Sequence, residues 1–166
     1  MLNFLLDTEL TPEQLDYAHT IQQSAESLLV VINDILDLSK VEAGMMKLEW
    51  EPFRLVSMIE DANELLSTLA IQKGLELSFW VDESVPEVVV GDRVRLRQVL
   101  LNLIGNAIKF TTEGEVFTQC TVEHLDTQKN EMKLLFEVVD TGSGFDSDGE
   151  AVMFKPFSQI DSSVSD

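Results

Sequence analysis

The sequence predicts an α+β protein: a helical hairpin arm followed by a two-layer α/β sandwich, one sheet with helices on one face. Three observations carry this. An apolar seam of helical spacing occupies the start of the chain and closes at Gly44. Beyond Gly44 the apolar period switches repeatedly between two residues, the repeat of a half-buried strand, and three to four, the repeat of a half-buried helix. Gly74 and Asp92 supply a helix stop and a helix start at two of these switches. Interleaved strands and helices form layers because each must bury its apolar stripe against another element. The predicted boundaries are 1–44 for the arm and 45–166 for the layered domain.

The arm opens with the apolar stretch Met1 to Leu6, read as the end of a helix, and a turn-like segment from Asp7 to Leu10. Thr11-Pro12-Glu13-Gln14 has the spacing of a capping box, with proline at the first helical position, where its missing N–H costs nothing. Ile21, Ala25, Leu28, Ile32 and Ile35 then recur in alternating steps of three and four, a heptad seam widened by Leu29 and Leu36. This predicts one long helix over 12–43, antiparallel to the short piece ahead of it because the connection is short. With so little of a partner helix in the same chain, the seam predicts a homodimer through the arm.

Met46 to Glu51 alternates apolar and charged residues and predicts a strand ended by Pro52. Leu55, Ile59, Ala62, Leu66, Leu69 and Lys73 restore helical spacing up to Gly74. Leu75 to Val81 alternates again, Glu87 to Val90 makes a short strand, and Asp92 caps a helix running through Phe110. Val116 to Val122 and Met132 to Val139 form a hairpin across the polar loop Leu125 to Asn130. The tail from Ser158 to Asp166 is polar and without period.

Eleven basic against thirty acidic side chains in 166 residues give a formal net charge of −19. That charge repels both a nucleic-acid backbone and an anionic membrane, which argues against nucleic acid as a partner. No apolar run approaches the roughly 20 residues of a membrane-spanning helix, so this piece is expected to make no membrane contact. Its N-terminus lacks the basic region and cleavage pattern of a secretory signal. A lone Cys120 in an alternating apolar run forms no internal disulfide and reads as a buried small hydrophobe in a reducing, cytoplasmic setting.

Two constellations carry chemistry. On the helix from Arg93 to Phe110, Arg95, Gln98, Asn102, Asn106 and Lys109 recur three or four apart and line one face without an acid among them. Solvent can satisfy a single asparagine. Two asparagines one turn apart, followed by a lysine, also suit a hydrated divalent cation held through amide oxygens while the ammonium meets phosphate. The second constellation is Val138-Val139-Asp140-Thr141-Gly142-Ser143-Gly144-Phe145, a strand ending in an acid and a loop with two glycines. By itself it fits a turn. It also fits a carboxylate accepting from an exocyclic amine, with glycines that let a ligand approach the backbone. A P-loop is excluded because no G-K-[ST] follows and Asp146 and Asp148 would repel phosphate.

Taken together, these segments resemble histidine kinases. Asp92 to Thr111 resembles their N box, Asp140 to Gly144 their first glycine box, and Met153-Phe154-Lys155-Pro156-Phe157-Ser158-Gln159 their phenylalanine box, all in family order. Ser27 to Gly44 is similar to the second helix of the dimerisation hairpin of hybrid sensor kinases. The resemblance implies the fold shared with heat-shock chaperones, DNA gyrase and mismatch-repair ATPases, with Mg-ATP held between the N-box helix and a lid. By position it implies that Asn106, helped by Asn102, ligates Mg²⁺, that Lys109 touches phosphate, and that Asp140 receives the adenine amino group. Gly142 and Gly144 would shape the lid hinge, and Phe154 and Phe157 would pack the lid. The intact protein would use ATP and Mg²⁺ to phosphorylate its own histidine and pass the phosphoryl group to a response-regulator receiver domain.

The sequence also departs from the family pattern. Ser143 replaces the aliphatic residue usual between the two glycines, and the second glycine box, expected after Ser162-Ser163, is missing. Neither His19 nor His124 stands in the phosphoacceptor context, so the acceptor is expected ahead of Met1. This piece alone is expected to bind nucleotide weakly and not to autophosphorylate. The alternative reading is a catalytically inactive dimerisation or interaction module with a degenerate nucleotide pocket. An ATPase of the same fold without a kinase role is a third reading, against which the arm argues.

Overall fold

The computed structural model describes residues 2–6, 8–129 and 131–144. The chain divides into two units, Met1–Leu48 and Glu49–Asp166.

The first unit holds α1 (Leu2–Leu6) and α2 (Pro12–Glu42), which pack against each other. The start of α2 is set by a reciprocal cap: the Thr11 hydroxyl accepts from Gln14 N at 3.2 Å, and Gln14 Oε1 accepts from Thr11 N at 3.0 Å. One turn on, the Tyr17 hydroxyl donates to Glu13 Oε1 at 2.7 Å, which raises the Tyr17 pKa above its ordinary value. The seam residues Ile21, Leu28, Ile32 and Ile35 remain 43–60% exposed, so no described residue covers them.

The second unit runs β1 (Glu51–Arg54), α3 (Leu55–Gln72), β2 (Glu76–Val81), β3 (Val88–Gly91), α4 (Arg93–Phe110), β4 (Glu115–Asp126) and β5 (Glu131–Asp140). Among the described residues these strands make two sheets rather than the single sheet expected. β1 and β3 pair antiparallel as a ribbon of their own. β1 continues directly into α3, and β3 reaches α4 through Asp92 alone, so the ribbon is tied to the starts of the two helices. The second sheet has the order β2-β4-β5, with β2 parallel to β4 and β4 antiparallel to β5. The parallel pair is possible because β3 and α4 cross over between its strands.

Two local expectations change. The first strand lies at Glu51–Arg54, not at Met46 to Glu51, and Pro52 sits inside it opposite Val90. Leu55 N donates to Glu87 O at 3.2 Å, so residues 55, 53 and 51 point their N–H groups at β3 and residue 52 points away. A missing N–H there costs no ladder bond. Upstream, Glu49 N donates to Asp92 Oδ2 at 3.1 Å instead of joining a ladder. The hairpin strands are also longer than expected, because a bulge between Val122 and His124 leaves Glu123 unpaired and hides the continuing alternation. Asp126 then closes the turn, its Oδ1 accepting from Gln128 N and Lys129 N.

The core lies between the helices and the three-stranded sheet. Leu55, Met58 and Ile59 of α3 and Leu100, Ile104 and Ile108 of α4 meet Val116 and Cys120 of β4, with Phe79, Leu134, Phe136 and Val138 packed around them. Leu100 and Ile104 are fully buried, each worth roughly 1.5–3 kcal/mol of apolar transfer. This packing fixes the rotation of α4 about its axis, and that rotation decides which of its polar residues face outward.

Candidate nucleotide-binding site

α4 begins at Asp92, whose carboxylate accepts from Arg95 N at 3.0 Å and from Glu49 N. These two bonds, the one from Arg95 first, hold the Asp92 carboxyl below the usual carboxylate range. Leu100, Ile104, Ala107 and Ile108 are buried. At 3.6 residues per turn Asn102, Asn106 and Lys109 then lie on the opposite side, and all three are exposed. Arg95 Nη1 donates to Gln98 Oε1 at 3.0 Å on the same face. The Lys109 ammonium sits 5.0 Å from the centroid of the Phe110 ring. In an acidic chain, this acid-free helix face is where an anionic ligand is least repelled.

Asp140 ends β5. Leu134, Phe136 and Val138 pack into the core, and Asp140, the next residue in that alternating set, faces the same side of the sheet as α4. Its Oδ1 accepts from Gly142 N at 2.9 Å and lies 3.5 Å from the Thr111 hydroxyl. Thr111 is fully buried and donates to Ala107 O at 2.7 Å. Thr141 ties the same loop to the start of β4, its hydroxyl donating to Glu113 O and accepting from Glu115 N, each at 3.0 Å.

The two glycines serve different needs. A Cβ on Gly142 would stand 2.7 Å from Asp140 Oδ1 and 2.9 Å from Phe110 O, so only glycine lets the loop lie against the end of α4. Gly144 has φ +64° and no described neighbour within 4 Å; its requirement is the left-handed backbone. Phe154 and Phe157 lie outside the described residues.

Sequence reasoning missed two participants. Thr111 closes the N-box resemblance, which gives it no role of its own. By spacing Lys73 is the last residue of α3's helical pattern, yet its ammonium donates to Ile108 O at 2.8 Å, Lys109 O at 2.7 Å and Thr111 O at 3.1 Å. A lysine just before a helix-ending glycine was the only signal.

The donor set fits a nucleotide with a divalent cation. Asn102 and Asn106 offer amide oxygens, Lys109 an ammonium, Asp140 a fixed carboxylate acceptor, and Gly142 a bare backbone surface. Comparison with known proteins bears on the nucleotide part of this fit. Residues 1–44 match the His Kinase A (phospho-acceptor) domain, and residues 91–166 match the histidine kinase-, DNA gyrase B-, and HSP90-like ATPase family. The peroxide stress-activated histidine kinase mak1 of Schizosaccharomyces pombe is 60% identical over 164 residues, covering 99% of this chain and 10% of that protein.

The chain is built of histidine kinase family domains.

A second histidine kinase, the sensor GacS of Pseudomonas protegens, is 42% identical over 98% of this chain and 18% of its own length. Among solved kinases, full-length ShkA in complex with AMPPNP superposes with a TM-score of 0.73 at 33% identity, covering 92% of this chain and 32% of ShkA. The chain therefore spans a tenth to a third of these kinases and carries a nucleotide-binding domain of this ATPase family. No helix among the described residues is long and apolar enough to cross a membrane.

Proposed function

We propose that this chain is the dimerisation-arm and ATP-binding part of a hybrid sensor histidine kinase, with the arm at 1–44 and the nucleotide-binding domain at 45–166. Asn106, with Asn102, holds Mg²⁺; Lys109 meets phosphate; Asp140 accepts the adenine amino group; Gly142 and Gly144 shape the lid hinge. Bound Mg-ATP supplies the phosphoryl group for a histidine, from which it passes to an aspartate of a response-regulator receiver domain. The protein's part is placement: the amide row and the ammonium set the polyphosphate, and the carboxylate sets the base.

The observation that carries this reading is the Asp140 carboxylate, held by Gly142 N and facing Thr111 at the end of the same helix whose outer side bears Asn102, Asn106 and Lys109. Two copies of the arm meet through the exposed seam of Ile21, Leu28, Ile32 and Ile35. The phosphoacceptor is neither His19, in the first third of α2, nor His124, on β4.

Calorimetric titration with Mg-ADP tests the assignment. Saturable binding is expected, weakened roughly 10- to 100-fold by Asn106→Ala or Asp140→Ala, as fits loss of a charge-assisted contact of about 1.5–3 kcal/mol. Equal affinity in wild type and both variants would favour the alternative, an interaction module whose exposed seam is its working surface.

A further inference from the structure

Every α-helix leaves its last four carbonyls without intrahelical partners. In α4 and its cap these are Ile108, Lys109, Phe110 and Thr111. Three of them, Ile108 O, Lys109 O and Thr111 O, accept from the single ammonium of Lys73, at 2.8, 2.7 and 3.1 Å. The fourth, Phe110 O, faces Gly142, where an added Cβ would come within 2.9 Å. Lys73 itself is fixed at the end of α3, its backbone N–H bonded to Ala70 O and Leu69 O.

Electrostatics gives the ammonium a second effect. The carbonyl end of a helix carries about half a negative charge, which repels a carboxylate placed beside it. Asp140 stands there, its Oδ1 within 3.5 Å of the Thr111 hydroxyl. An ammonium spread over three of the four carbonyls offsets part of that negative charge. Lys73 thus both holds the backbone from Ile108 to Thr111 and offsets the negative end of α4 facing Asp140.

We infer that Lys73 is a positioning residue for the nucleotide site: through the end of α4 it sets Asn106 and Lys109 on one side and Asp140 and Gly142 on the other, without touching the ligand. This rests on the nucleotide-binding reading above.

The test compares Lys73→Met, which keeps the stem and removes the charge, with Lys73→Arg, which keeps both charge and several donors. Below the melting temperature, with fold checked by amide NMR spectra, the Met variant is expected to bind Mg-ADP about tenfold or more weakly. Its amide shifts should change chiefly at residues 106–111 and 140–142, and the Arg variant should recover most of the affinity. A folded Met variant that binds as wild type overturns the inference. So does a loss of affinity matched by shift changes spread through the whole unit and not restored by arginine, since that is what general destabilisation produces. If the Met variant does not fold, the lysine ammonium signal of the wild type decides. Slow proton exchange and couplings to the Ile108 and Lys109 carbonyl carbons support the clamp, and a signal averaged like that of a free lysine overturns it. Absence of Mg-ADP binding by the wild type, with the ammonium signal still protected, would instead locate the failure in the nucleotide reading and remove this role along with it.

Discussion

Replacing Gly142 by alanine separates two reasons for a glycine in the loop after β5. The backbone at this position is not in the left-handed region, so conformation is no obstacle; space is. The new methyl would lie 2.7 Å from Asp140 Oδ1, 2.9 Å from Phe110 O and 3.2 Å from Thr111 Oγ1. The carboxylate can rotate away, but only by giving up its 2.9 Å bond from Gly142 N. Phe110 O is backbone at the end of α4 and cannot yield without moving the helix terminus. Overpacking of this kind costs about 1–3 kcal/mol. For a unit of this size each kcal/mol lowers the melting temperature by roughly 3–5 °C. A drop of about 3–15 °C in a circular-dichroism melt is therefore expected. Mg-ADP affinity should fall as well, because either response displaces the acceptor carboxylate. Gly144→Asn is the control: asparagine tolerates a left-handed backbone, and no described neighbour lies within 4 Å, so it should melt close to wild type. A Gly142→Ala protein that melts and binds like wild type would refute the packing argument at its root.

Two further outcomes follow from titrating groups. The Asp92 carboxyl is held below the usual range by the bonds from Arg95 N and Glu49 N, so its contribution to stability is complete above its unfolded pKa and is lost as pH falls through the lower folded value. Asp92→Ala should therefore melt below wild type at neutral pH, with the gap closing in acid; a gap independent of pH would contradict the cap. Burial raises the Cys120 thiol to about 11, so a thiol reagent at pH 8 should label native protein slowly and urea-unfolded protein fast, whereas equal rates would place Cys120 at the surface.

How much was legible is clearest residue by residue. The capping box at Thr11, the heptad seam of α2, the limits of α3 and α4, and the outward row of Asn102, Asn106 and Lys109 all follow from neighbours at most one or two turns away. A helix or strand period is written in such short-range spacing. The β4–β5 hairpin was legible too, except where the bulge at Glu123 shifted the alternation by one residue and made the strands look shorter than they are.

What only the tertiary structure decided lies farther along the chain. The separate β1–β3 ribbon and the parallel β2–β4 pair depend on which strand comes to rest beside which, and an alternating strand carries no record of its neighbour. Pro52 read as a strand end because its own sequence cannot show which way its missing N–H points; the Leu55–Glu87 bond sets that phase. Lys73 read as a residue of its own helix because the three carbonyls it holds are 35 to 38 residues away. The sequence marks Gly142 as a glycine for ligand approach and the lid hinge, but not that Phe110 O lies 2.9 Å from where its Cβ would be. Short-range spacing thus determined the elements and the residues offered to a ligand, while long-range packing decided which polar groups meet, since a hydrogen bond across the fold constrains positions in space and leaves no period in the chain.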